Sequence, residues 1–168
     1  MWNGEVISMQ WLARIVASSA PAATILVRVI VGSVFLSEGL QKFLFPAQLG
    51  VGRFEKIGIP WPHVMAPFVG IVEISCGVLI LLGLFTRLAA LPLIIDMLVA
   101  ISTTKFPLLI EHGFWNMAHE ARIDFAMFLG SIFLFIVGSG SWSLDAHVAQ
   151  WFRTHSRTRL RFRSAPSP

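Results

Sequence analysis

Two acids, Glu73 and Asp96, each stand inside an apolar run long enough to cross a bilayer. They flank the centre of one continuous stretch, 68–104, which reads FVGIVEISCGVLILLGLFTRLAALPLIIDMLVAISTT and is broken only by a short turn at 83–87. If that turn lies at a membrane surface, a rise of about 1.5 Å per residue brings both carboxyls near mid-bilayer. An ionisable group there costs roughly 2.5–3.5 kcal/mol on insertion scales, so it is neutralised, paired or put to use. Should the two acids meet, a shared proton would relieve their repulsion. That arrangement suits a proton relay or a hydrogen bond to a quinone head group. The plainer alternative is a pair of protonated carboxyls acting as interhelical glue, with Arg28 reaching inward to offset one of them.

A second group of polar residues is expected at the opposite membrane face: Glu38, Lys42, Lys105, His112, His119, Arg122 and Asp124. Glu38 and Lys42 are spaced i, i+4 and can pair on one helical face. Asp124 also suits a helix N-terminus electrostatically, which needs no ligand to explain it. His112 and His119 stand seven residues apart on a loop-like segment, which is not a recognised metal-ligand spacing. No metal site is expected, and no histidine falls inside a span where a membrane haem would need two. Trp115, Phe114 and Met117 are ordinary interfacial anchors before they are the lining of an apolar mouth.

These residues need a membrane scaffold to hold them. Of 168 residues, 55% are hydrophobic and 13% charged, and the mean hydropathy is +0.73, which is too apolar for a soluble domain. The fold class expected is all-α, an integral membrane four-helix bundle with short interfacial helices. Spans are placed at about 23–45, 63–85, 87–106 and 123–137. The region 46–62 is read as a loop with one helical turn, because it holds Gly50, Gly52, Gly58, Pro60 and Pro62. The stretch 108–122, LLIEHGFWNMAHEAR, is read as re-entrant or interfacial.

Ahead of the bundle, residues 1–22 form an N-terminal segment in which Trp2, Val6, Met9, Leu12 and Val16 recur near helical spacing, as in an interfacial helix. Behind it, 146–168 is a basic tail in which Arg153, Arg157, Arg159, Arg161 and Arg163 suit the cytoplasmic lipid surface rather than nucleic acid. An even number of spans puts both termini on one side, and the lysine and arginine count favours the cytoplasm. The lone Cys76 excludes an intramolecular disulfide and CxxC redox chemistry. No nucleotide motif or nucleophile with its base marks an autonomous enzyme.

Four stretches resemble the DoxX family of small bacterial membrane proteins: VRVIVGSVFLSEGLQKFLFP, RFEKIGIP, VGIVEISCGVLILLGLFTRLAAL and HEARIDFAMFLGSIFLFIVGSGSWSLD. The GLQK of span one and the VE followed by LLGLFTRLAA are the most specific parts, and the likeness covers about 26–145. The resemblance implies a four-helix bundle in a bacterial cytoplasmic (inner) membrane. Some relatives are subunits of quinone-linked sulfur oxidation, and others associate with redox-defence or sulfurtransferase proteins. By motif position, Glu38, Gln41, Lys42, Glu73, Thr86 and Arg87 are the family-like polar residues.

The function expected is that of a membrane subunit in a redox system handling quinone or a small sulfur-type reductant. Glu73 and Asp96 would handle protons, while Glu38, Lys42, Arg28, His119, Arg122 and Asp124 would form the substrate or quinone site. The alternative is a non-catalytic scaffold that recruits a soluble partner and keeps each acid locally paired. Partners expected are the lipid bilayer and a soluble or membrane redox protein, with no nucleic acid and a homo-oligomer left open. No covalently bound cofactor is expected, and quinone is the candidate ligand.

Overall fold

A computed structural model describes residues 20–148 and 150. Helix α1 is Thr24–Leu44, α2 is Val51–Lys56, α3 is Pro62–Leu82 and α4 is Thr86–Val137. In water the β-branched run of α1, VRVIVGSV, would be an indifferent helix former. In hydrocarbon every backbone group needs an internal partner, so an apolar segment of this length is helical whatever its propensity. Pro62 opens α3 at a position where its missing N–H is no loss. Gly83 closes α3 in the left-handed conformation, where the Gly83 N–H donates to the Ile80 carbonyl and the Leu84 N–H to that of Leu79.

Helix α4 is two helices joined at Gly113, where φ is 77° and ψ is 172°. The arms 86–112 and 114–137 run back along one another. Arg87 Nη2, at the start of the first, donates to the Ile136 carbonyl at the end of the second over 3.2 Å, and Lys105 Nζ lies 2.9 Å from Asp124 Oδ2. Among the described residues three helices are therefore long and apolar enough to cross a membrane, and the two arms of the third are placed to cross twice. The architecture is an all-α membrane bundle of four antiparallel segments.

Of the re-entrant or interfacial reading of 108–122, the re-entrant form is corrected: the stretch is helical on both sides of Gly113. Pro107 does not end the third span, since a proline in a transmembrane helix forfeits one backbone bond and the helix continues. The break falls six residues later at Gly113, where an added Cβ would meet open space but the positive φ suits a residue without one. Span two ends at Leu82 instead of 85, stopped by the Gly83 cap. The expected interfacial helix over 1–22 and the tail over 146–168 lie almost wholly outside the described residues.

Helices α1 and α3 pack most closely. A Cβ on Gly39 would stand 2.7 Å from the Gly70 carbonyl oxygen, and one on Gly77 would stand 2.9 Å from that of Gly32. Small residues at such a crossing let backbones approach where lipid supplies no hydrophobic drive. Val31 and Phe35 of α1, Cys76 and Ile80 of α3, and Ala90, Leu93, Met127 and Leu134 of α4 complete the core. Leu26, Phe68, Ile95, Phe125 and Ile136 face outward, as lipid-contacting residues should.

Candidate functional site

The α1–α3 register decides which charges meet. With Gly39 against Gly70, the Lys42 side chain at the end of α1 reaches across to α3, and its Nζ lies 2.6 Å from Glu73 Oε2. The pair is enclosed, with side chains 11% and 3% exposed. Asp96 approaches from the first arm of α4. The Glu73 and Asp96 carboxyls are close enough to share a side-chain hydrogen bond, and the Lys42 charge acts on both. With a proton on one of them the two carboxyls could hydrogen-bond directly, and Lys42, Glu73, Asp96 and that proton would form a neutral set. Asp96 Oδ2 and Glu73 Oε2 are both fully enclosed and neither makes a hydrogen bond among the described residues, but Glu73 Oε2 has its ion pair with Lys42.

Lys42 thus takes its partner from another helix. Glu38, expected to pair with it, is exposed on α1 and bears on Asp96 through its charge. Glu73 sits about ten residues from either end of α3, and Asp96 ten residues into α4.

Toward the Gly113 end lies an open groove of about 870 Å³ between α2 and the first arm of α4. Ala47, Gln48, Arg53 and Lys56 line one side, and Thr103, Thr104 and Glu111 line the other. Positions 96, 100, 103 and 107 recur at helical spacing, so the α4 wall of the groove continues the face that carries Asp96. Thr103 stands seven residues beyond Asp96, a rise of about 10 Å.

Arg28 is not part of this cluster, and its expected reach toward Glu73 or Asp96 is corrected. Its buried guanidinium sits at the other end of the bundle. Nε donates to the Ile80 carbonyl (2.9 Å), Nη2 to Leu81 (2.6 Å), and Nη1 to Ser139 (3.2 Å) and Trp142 (2.5 Å). The last carbonyls of a helix have no intrahelical donors, and Arg28 supplies them for α3 while tying down the 139–142 turn. The acid whose charge acts on it is Asp145. That residue accepts from the Phe85 N–H (2.8 Å) and the Thr86 N–H (3.2 Å), capping the N-terminus of α4 from a distant segment. Little in the sequence singles out Asp145. Its only local signal is an acid after the turn GSGSWSL.

The remaining candidates do not converge on the acids. Asp124 pairs with Lys105 across the α4 hairpin. Arg122 Nη1 turns back to the His119 carbonyl of its own helix, 2.6 Å away, and both residues are exposed near the hairpin tip. His112 is exposed beside Glu111. Among the described residues no three His, Cys, Asp or Glu side chains are grouped to hold a metal ion.

The DoxX family model matches residues 23–106, which hold α1 through Asp96 and the near wall of the groove. An uncharacterized membrane protein of Mycobacterium tuberculosis, Rv3486, is 52% identical over 143 residues, covering 82% of this chain and 88% of that one. A putative oxidoreductase of Bacillus subtilis, CatD, is 33% identical over 125 residues, covering 74% of this chain and 86% of its own. No solved structure matches.

Proposed function

This chain belongs to the DoxX family, and from that premise we propose that it is the membrane subunit of a redox system that passes reducing equivalents from a small reductant or partner protein to quinone. The observation that carries the reading is the enclosed, unpartnered Asp96 Oδ2 beside the Lys42–Glu73 pair. A buried acceptor left open in hydrocarbon is costly. A quinone carbonyl alone would not satisfy it, but a carboxyl that carries the shared proton can donate to that carbonyl. Quinone supplies an acceptor for two electrons and two protons. Glu73 and Asp96 would hold one of the two protons, the second and the replacement for the first would come from water by way of Glu38 on the exposed side of α1, and Lys42 would offset one of the two carboxylates left until the pair is reprotonated.

The name of the CatD relative, putative oxidoreductase, supports the same class. The inner membrane with both termini cytoplasmic is the placement that the basic tail favours. The scaffold alternative also accommodates the Lys42–Glu73 pair and gives Asp96 a local partner in Glu73; what favours the redox reading over it is Asp96 Oδ2, which makes no hydrogen bond among the described residues.

The test is binding of a short-chain ubiquinone to the purified protein in detergent, comparing native protein with Glu73→Gln and Asp96→Asn, with folding checked in parallel. Saturable binding that is weakened in folded variants is the expected result. Absence of binding to folded native protein would overturn the redox reading in favour of the scaffold.

A further inference from the structure

We propose that the groove between α2 and the first arm of α4 is a binding site for an anionic, oxygen-rich head group, with Arg53 and Lys56 as its recognising cations. At about 870 Å³, it lies within the ordinary range for ligand sites. Arg53 and Lys56 are three residues apart on α2, so they fall on one face and both line the groove. Neither has an ion-pair partner among the described residues, whereas Lys42 and Lys105 are each taken up by an acid.

Charge complementarity gives the ligand's sign. Glu111 on the opposite wall repels an anion and narrows the preference to one that sits close to α2. Gln48 adds an amide that can donate to an oxygen of the same head group. A guanidinium matches two oxygens of a phosphate, sulfonate or carboxylate at once, and an ammonium beside it adds a point charge. Such an anion reaches the groove from one of two sources, an anionic phospholipid of the surrounding leaflet or a small oxyanion in solution. The site does not depend on the redox reading. Its position about two turns above Asp96 would nonetheless set whatever it holds over the acid cluster.

The experiment uses the full chain in detergent and measures binding of dihexanoyl phosphatidylglycerol, dihexanoyl phosphatidylcholine and inorganic phosphate. Native protein is compared with Arg53→Gln/Lys56→Gln and with Glu111→Gln. Selective binding of phosphatidylglycerol, weakened about tenfold or more in the double variant and tightened in Glu111→Gln, supports the site with lipid as its source. Phosphate binding with the same pattern of variant effects supports it with a soluble oxyanion as its source. Equal binding of both lipids without phosphate binding, or binding unchanged in the double variant, overturns it. Because all three positions are exposed, the variants should fold. Quinone binding measured on the same samples separates a failure here from a failure at Glu73 and Asp96.

Discussion

Removing Lys42 and removing Glu73 should not be equivalent, although each breaks the same 2.6 Å contact. Lys42→Met leaves two carboxyls facing each other in an enclosed site with no cation, and breaking one side of a buried pair typically costs about 3–5 kcal/mol. Glu73→Gln is milder because the ammonium already acts on Asp96 and can turn to it, and the new amide can donate to the Asp96 carboxylate. That loss should be near the value of one charge-assisted hydrogen bond, about 1.5–3 kcal/mol. In the double variant Met fills the volume of the lysine stem, and Gln gives Asp96 a neutral partner. Its loss should therefore fall at least about 2 kcal/mol short of the sum of the singles. Reversible unfolding of the purified protein by SDS titration in mixed micelles reads all three. Equal losses for the two single variants, or strict additivity in the double, would refute the view that Lys42, Glu73 and Asp96 act as one unit.

Arg28→Met removes the donors to four carbonyls and should destabilise the fold by about 3 kcal/mol in the same titration, with Arg28→Lys recovering only part because one ammonium cannot span that fan. Asp145→Ala strips the cap from the Phe85 and Thr86 amides and should lower stability by about 1–2 kcal/mol without changing quinone binding. Gly39→Leu drives a side chain into the Gly70 backbone and should cost about 1–3 kcal/mol by forcing α1 from α3, with quinone binding weakened because Lys42 is carried away with it. Gly113→Ala meets no neighbour and should cost only the local strain of a backbone conformation that is essentially restricted to glycine, about 1–3 kcal/mol, leaving the cluster intact.

Glu73 and Asp96 were legible in the sequence because an acid inside an apolar run has few bland explanations, and the α3–α4 turn between them fixed their depth. For Lys42 the sequence offers Glu38 as a possible partner, because i, i+4 spacing is the pairing a single helix displays. Its interhelical partner depends on the α1–α3 register, which the glycines at 32, 39, 70 and 77 set only once the helices are packed. Arg28 could be read as a shallow cation, but the groups it serves are backbone carbonyls of α3 and the 139–142 turn, which carry no side-chain signature. The 108–122 segment misled for a different reason. Its polar residues are spread around the helix as it rises beyond the core, so periodicity fades there, and Pro107 looked like the stop that Gly113 provides. His119 and Arg122 went with that segment to the exposed tip. The groove on α2 was invisible because its two walls come from segments about 50 residues apart.

The central claim is that the Glu73–Asp96 pair holds a proton that a bound quinone engages. The most direct measurement is the infrared difference spectrum on adding a short-chain ubiquinone to the purified protein, in H2O and in D2O. The account predicts a perturbed carboxylic-acid C=O band that shifts on deuteration and disappears in the folded Asp96→Asn variant. Saturable quinone binding with no carboxylic-acid band, or with a band unchanged in Asp96→Asn, would contradict it.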